Sequence, residues 1–288
     1  MTSSYTRRAA TGITALITLG TVYSVIHDTA LDTSDPLNHF ANRHGTQTSY
    51  LAKKSNVFNV YFVKYAWGWT TAAAAALAFT APGAIRQPLR RLSRWAATTL
   101  VWAAFASWFF GPSLFARLNL LSGAQCLVKL PPSNVDPSSS ASDTWITVPS
   151  EYCYASTSIT PSSHPSFFAN NPDIAKAFAG TASIAGSGVV QTLQLRPRLL
   201  RGHDVSGHLF LLTLSILFLV DQLTPSLAYL GLAVGSTVAL VALWTVMAVT
   251  TSVYFHTPLE KFSGWVAGIL GYLASSVTSQ TVESVLGA

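Results

Sequence analysis

The chain of 288 residues is 50% apolar and only 10% charged, with a mean hydropathy of +0.38. That balance excludes an ordinary soluble protein and points to a multi-span membrane protein. The net charge of +6 does not indicate nucleic acid, because the basic residues are not grouped into a face interleaved with exposed aromatics; they mark membrane orientation instead.

Six apolar runs are long enough, at roughly 20 residues each, to cross about 30 Å of hydrocarbon as helices. They are residues 11–26, 58–80, 95–115, 208–223, 227–255 and 262–282. The expected architecture is therefore all-α: a polytopic single membrane domain over residues 1–288 with six transmembrane helices. Arg7 and Arg8 ahead of the first run resemble the start of a signal peptide. No convincing small-residue cleavage site follows, however, and Asp28, Asp32 and Asp35 come next, so this run reads as a retained span. The fourth run is short and carries Asp221 near its end, and the fifth is long enough to tilt or to extend past the lipid.

The connector between the second and third runs holds Arg86, Arg90, Arg91 and Arg94 and no acid, the strongest positive-inside signal in the chain. Placing it in the cytosol puts both termini there. The 28–57 connector, the long 116–207 segment and the 256–261 turn then fall on the far side. Lys53, Lys54, Arg196, Arg198 and Arg201 also fall on that side, against the rule, which invites a second role such as holding an anion.

The long segment carries Pro131, Pro132, Pro137 and the tract Ser138-Ser139-Ser140, with further Ser, Thr and Pro around residues 157–165. That composition predicts loose order. Both cysteines, Cys126 and Cys153, lie in it. In an oxidising compartment they pair, closing a loop of about 27 residues worth roughly 3–4 kcal/mol on the chain-entropy estimate; the alternative is two free thiols with no role. The chain has no Asn-x-Ser/Thr glycosylation acceptor.

Two histidines stand at span rims on the same membrane face. Ser206-Gly207-His208 opens the fourth run and His256 closes the fifth, so antiparallel neighbours bring the imidazoles to one depth. One imidazole can then attack phosphorus while the other gives a proton to the leaving oxygen. Gly207 lets a phosphate approach the backbone, and a helix start favours an anion. A lone interfacial histidine is ordinarily just a polar rim residue, and it is the pair beside cations that points to phosphate chemistry. Candidate cations are Lys64, which sits inside an apolar stretch where charge is costly, Lys261, Lys53 and Arg201. Asp204 and Glu260, each four residues from a histidine, are candidates to orient an imidazole. His203, Asp204, His208 and His256 also form a conceivable metal set, but no His-x-x-x-His or Cys-x-x-Cys spacing supports one, so no metal or other cofactor is expected. His27, His39, His44 and His164 read as surface residues. Gly-rich phosphate loops, Rossmann fingerprints and Gly-x-Ser-x-Gly elbows do not occur.

Three blocks carry a resemblance to a known family: Leu51-Ala52-Lys53-Lys54-Ser55-Asn56-Val57-Phe58-Asn59-Val60-Tyr61-Phe62-Val63-Lys64, then GHDVSGHLFLL from Gly202, then YFHTPLEKFSG from Tyr254. The chain resembles the fat storage-inducing transmembrane proteins, an endoplasmic reticulum group of six-span proteins distantly related to lipid phosphate phosphatases. The resemblance implies a lumen-facing cleft that cuts the diphosphate of fatty acyl-CoA, giving acyl phosphopantetheine and adenosine bisphosphate, and a part in lipid droplet formation. It implies His256 as nucleophile and His208 as general acid, with acyl-CoA and membrane lipids as partners. The upstream Lys-x6-Arg-Pro signature of lipid phosphate phosphatases is absent, since Val189 stands at the lysine position before Arg196-Pro197. Their Ser-Arg block is also missing, with Val249-Thr250 ahead of His256. A second reading is a non-enzymatic neutral-lipid scaffold using Trp67, Trp69, Trp102 and Trp108. A third, a haem carrier ligated by the two histidines, predicts a coloured protein.

Overall fold

The computed structural model describes residues 3–30, 49–53, 55–82, 87–106, 113–129, 145–154, 158–172, 195–200, 202–229 and 231–285. These build two compact units, one from the described parts of Met1–Thr33, Asn38–Phe115 and Asp204–Ala288, the other from those of Ala116–His203.

The first unit is helical. α1 (Ser4–His27) is capped by the Ser3 hydroxyl, which accepts from the Thr6 amide at 3.1 Å. The second apolar run does not form one regular helix. A π-helical turn (Phe58–Phe62) and a 3-10 turn (Val63–Tyr65) precede α2 (Ala66–Thr80). Pro88 opens α3 (Pro88–Ala106), where a missing N–H costs nothing. The helix starts seven residues ahead of the predicted span and takes Arg90, Arg91 and Arg94 into its first two turns. After α3 the chain continues in α4 (Leu114–Leu121).

Among the described residues, three helices are long and apolar enough to cross a membrane: α1; α7 (Gly207–Leu223), extended by a 3-10 turn to Ser226; and α8 (Leu232–Tyr254). This is a membrane protein. The last helix, α9 (Pro258–Val285), is longer still but carries Glu260, Lys261 and many Ser and Thr residues. Of the three apolar helices, α7 is 72% buried across its apolar stretch, against 22% for α1 and 28% for α8. It is therefore the axis of the bundle, and α1 and α8 present mostly apolar surface outward. Leu209, Leu212, Ile216, Phe218 and Leu219 of α7 meet Ile13 and Ile17 of α1, Trp67 of α2 and Trp244 of α8 in one core.

Close approach of α9 to α7 depends on glycine. A Cβ at Gly264 would run into the Ser206 carbonyl oxygen, and one at Gly268 would lie 2.8 Å from both the Phe210 carbonyl oxygen and the Thr213 Cβ. Small residues four apart let helix backbones pack this closely in membranes.

Pro131, Pro132, Pro137 and Ser138-Ser139-Ser140, on which the expectation of loose order chiefly rests, lie outside the described residues; the described parts of the second unit carry regular structure, including a small sheet that corrects the strictly all-α expectation. Strands β1 (Gln125–Lys129), β2 (Trp145–Thr147) and β3 (Arg198–Leu200) form an antiparallel sheet of order β2-β1-β3, with Leu127 opposite Thr147 and Cys126 opposite Leu199. Short helices α5 (Glu151–Tyr154) and α6 (Pro165–Asn170) complete it. Cys126 and Cys153 are joined in a disulfide with Cα atoms 5.9 Å apart. Val128, Val148, Ile159, Phe167 and Phe168 pack with Cys126 as a small core. Proline and serine break the apolar residues of the segment into short runs, which hid that those of β1, β2 and β3 pair.

Substituting Gly268 by Val is expected to separate α9 from α7. Overpacking at a rigid backbone contact costs about 1–3 kcal/mol, so the thermal midpoint of the purified protein falls, while Gly235→Val, where a Cβ meets nothing within 4 Å, leaves it near the parent value.

Candidate active site

At the end of the first unit where α7 begins and α8 ends lies a cavity of about 500 Å³, in the size range of small-molecule sites. Its walls come from four places: Asp204, Val205, Gly207 and His208 at the start of α7; Met247, Thr250, Thr251, Phe255 and His256 at the end of α8; Asn56, Asn59, Val63 and Lys64 leading into α2; and Leu51 and Phe115. The two predicted histidines thus line the same cavity, as antiparallel neighbours require.

His208 is the second residue of α7, and the Ser206 side chain caps that helix by accepting from the Leu209 amide at 3.4 Å. Ser206 itself is fully buried and is not part of the wall. The cavity therefore meets the amide end of a helix, whose partial positive charge favours an anion.

His256 follows the C-cap residue Phe255 and adopts φ 65°, in the left-handed region. A histidine tolerates this better than most residues, but at a cost of roughly 1–3 kcal/mol. The turn lets α8 stop and α9 start two residues later. There Thr257-Pro258-Leu259-Glu260 forms a capping box: the Glu260 amide donates to Thr257 Oγ1 at 3.4 Å, and the Thr257 amide donates to Glu260 Oε2 at 2.8 Å. The other carboxylate oxygen, Oε1, accepts from the Asp204 amide at 3.1 Å, and the Glu260 carbonyl accepts from the Ser206 amide at 3.2 Å. His256 Nδ1 stands 3.5 Å from Glu260 Oε2, a polar contact longer than a regular hydrogen bond. Burial opposes ionisation of Glu260, but the His256 contact and the Thr257 and Asp204 amides outweigh it and hold the carboxyl below its ordinary range. Nδ1 is thereby turned to Glu260, which leaves Nε2 as the nitrogen available for chemistry.

The candidate cations separate. Lys64 is exposed and lines the cavity, the one lysine or arginine to do so among the described residues. Lys53 is exposed but outside the wall, and its carbonyl accepts from the Asn56 side chain at 2.7 Å. Lys261 is 1% exposed and donates to Ser24 Oγ of α1 at 2.9 Å. Arg201 and Lys54 lie outside the described residues, as do His39, His44 and Trp108. Trp67 and Trp102 stack on one another with ring centroids 5.9 Å apart, and Trp69 donates to the Tyr61 carbonyl; these are packing roles.

Asn56, Asn59, Thr250 and Thr251 belong to the wall and were not singled out in the sequence. Asn56 is 2% exposed; it donates to the Leu51 and Lys53 carbonyls and accepts the Asn59 amide at 2.7 Å. An asparagine just ahead of an apolar helical run is a capping signal that would have found it.

The chain matches the profile of the fat storage-inducing transmembrane protein family over residues 47–233 and 227–275, and it belongs to that family. Similar proteins include the acyl-coenzyme A diphosphatase fit1 of Schizosaccharomyces pombe, 28% identical over 83% of this chain and 77% of the relative. The acyl-coenzyme A diphosphatase FITM2 of Danio rerio is 26% identical over 78% and 71%, and that of Homo sapiens 27% over 78% and 70%. No solved structure matches.

Lys261 stands in the first turn of α9, ahead of the apolar stretch from Phe262. Burial lowers its pKa to about 8, against an opposing pull from Glu260. Between about pH 8 and its unfolded value near 10.4 the unfolded chain holds the proton that the folded one has lost, so stability rises with pH across that window. Thermal melts of the parent protein should show this rise, and Lys261→Met should remove it.

Proposed function

We propose that this protein is an acyl-coenzyme A diphosphatase of the endoplasmic reticulum membrane. It cuts the phosphoanhydride of fatty acyl-CoA on the lumenal side to acyl phosphopantetheine and adenosine bisphosphate, and so supports lipid droplet formation and membrane lipid balance. The observation that carries the reading is the convergence of His208, His256 and Lys64 on one cavity, with Glu260 set against His256. The names of the similar fission yeast, zebrafish and human proteins give the substrate class.

In this reading the chain crosses the membrane six times, through α1, the 58–80 segment, α3, α7, α8 and α9, with both termini cytosolic and the 116–203 unit in the lumen. The charge pattern supports that orientation. The acyl chain stays in lipid while the diphosphate enters the cavity. His256 Nε2 attacks one phosphorus in line. The bond to the bridging oxygen breaks, and His208 gives its proton to that oxygen as it leaves. Water, deprotonated by His208, then cleaves the phosphohistidine, restoring both imidazoles. Lys64 and the amide end of α7 hold the phosphate oxygens. Glu260 is a positioning residue, and Asp204 borders the entrance.

The test is turnover of fatty acyl-CoA by purified protein, following release of adenosine bisphosphate. His256→Ala and His208→Ala should each lower kcat by about 10²–10⁴, and Lys64→Ala should lower kcat/KM by about tenfold or more with Lys64→Arg partly restoring it. Activity should persist in excess EDTA. Turnover equal to the parent in both histidine variants rules the mechanism out, and metal-reversible loss in EDTA replaces it with a metal-dependent one.

Glu260→Gln removes the charge facing His256 and leaves one side-chain oxygen where two now accept the Asp204 and Thr257 amides, so kcat is read per folded molecule beside the melting temperature. The substitution should lower kcat about tenfold while leaving KM nearly unchanged, whereas a purely structural role would lower the melting temperature with kcat per folded molecule intact.

A further inference from the structure

The opposite end of the helical unit carries a second cavity, of about 560 Å³, which the hydrolytic reading does not use. It is a groove between α2 and α3. Ala75 and Ala78 belong to an alanine run of α2 whose side chains end at Cβ and leave the groove its width. Leu92 and Trp95 of α3 face it, and Arg91 and Gln222 are its strongest polar groups. Trp95 Nε1 donates to Thr71 Oγ1 at 3.2 Å and ties the two helices at its inner end.

Depth follows from chain position. Arg91 lies in the first turn of α3, Gln222 in the last turn of α7 and Ser226 in the turn that follows. The guanidinium therefore sits where the bundle ends and lipid headgroups begin. Thr71 lies nine residues before the end of α2, about 13 Å deeper at the helical rise. The groove is charged at headgroup level and apolar below it.

Arg91 is 7% exposed. Its Nη1 donates to the Gln222 carbonyl and Oε1 at 3.3 and 3.4 Å, and its Nη2 to Ser226 Oγ at 3.1 Å. A guanidinium has five N–H donors, so three contacts, two of them long, leave capacity in the group lining the groove. All of these partners are neutral. The nearby carboxylate, Asp221, acts on Arg91 only at a distance and is paired with Arg94 at 3.6 Å, and among the described residues no carboxylate lines the groove. A buried cation with no carboxylate in direct contact is costly. An anion in the groove would supply that direct contact.

We infer that the groove binds an acidic phospholipid of the surrounding leaflet, with its phosphate on Arg91 and one acyl chain along the alanine face of α2. Phosphate matches the planar fork of arginine, and basic pockets between helices on the positive-inside face are suited to acidic headgroups. The inference is independent of the diphosphatase reading, because its readout is lipid retention rather than turnover.

The experiment reconstitutes the full chain in nanodiscs of phosphatidylcholine with a minor fraction of phosphatidylserine, and reads retained lipid by native mass spectrometry and stability by thermal melting. Parallel arms replace phosphatidylserine with oleate or omit it. The expected result is one phosphatidylserine per chain, a raised melting temperature, and retention at least tenfold above that of phosphatidylcholine or oleate. Arg91→Gln should abolish the preference. Because that change also removes the bonds to Gln222 and Ser226, the double variant Ala75→Leu, Ala78→Leu serves as the second arm: it fills the groove and keeps those bonds. Undiminished phosphatidylserine retention in the double variant, or equal retention of phosphatidylcholine in the parent, overturns the proposal and leaves only ordinary boundary lipid.

Discussion

The buried carboxylate of Glu260 is the constraint on which this site depends. A carboxylate removed from water is expensive unless its lone pairs are filled. Here one oxygen takes the Asp204 amide, and the other takes the Thr257 amide and faces His256 Nδ1. The Glu260 carbonyl holds the Ser206 amide as well. One residue thereby joins the end of α8, the start of α9 and the entry to α7. His208 and His256 come from segments 48 positions apart, and this junction is what fixes them to one wall.

The junction works only because the helices below it approach closely. Gly264 stands one turn beyond Glu260 and admits the Ser206 backbone where any side chain would collide. Gly268 repeats the contact a turn deeper. Close packing of this kind does not relax easily, which explains how the left-handed backbone of His256 is sustained. The strain sits between a helix end and a satisfied capping box, both of which would have to open for the residue to relax. Strain held this way at a reactive group is a form of preorganisation.

Much of this was legible in the sequence. Apolar run lengths located the helices, and alternation across the membrane placed His208 and His256 at one end. The Thr257-x-x-Glu260 box was equally visible as a pattern, yet its carboxylate was read only as a partner for His256 and not as a cap. The sheet of the second unit was hidden because Pro and Ser break that segment into short apolar runs, while the pairing of Cys126 with Leu199 and Leu127 with Thr147 depends on residues far apart in sequence. The cations were the least legible feature. Lys53 was singled out as a basic residue on the wrong side by the charge rule, Lys64 as a charge inside an apolar stretch, and Lys261 as a neighbour of His256. They have three fates: exposure outside the wall, a place in it, and burial against Ser24. Charge counting cannot distinguish these, because the outcome turns on which way each helix face is rotated.

That sorting bears on the proposed chemistry through charge balance. The diphosphate bridge of an acyl-CoA carries about two negative charges. Among the described residues the wall offers one lysine, Lys64, and the amide end of α7 adds roughly half a charge. A shortfall remains, and Asp204, also in the wall, enlarges it. In the proposed mechanism the proton that His208, in the first turn of that helix, delivers to the leaving oxygen narrows this shortfall without closing it. In that mechanism the proton that the leaving oxygen requires also helps to hold the substrate. Binding and departure would then be coupled through one group: once His208 has given up its proton, Lys64 and the amide end of α7 alone face the products, and their hold on the leaving phosphate is weakened.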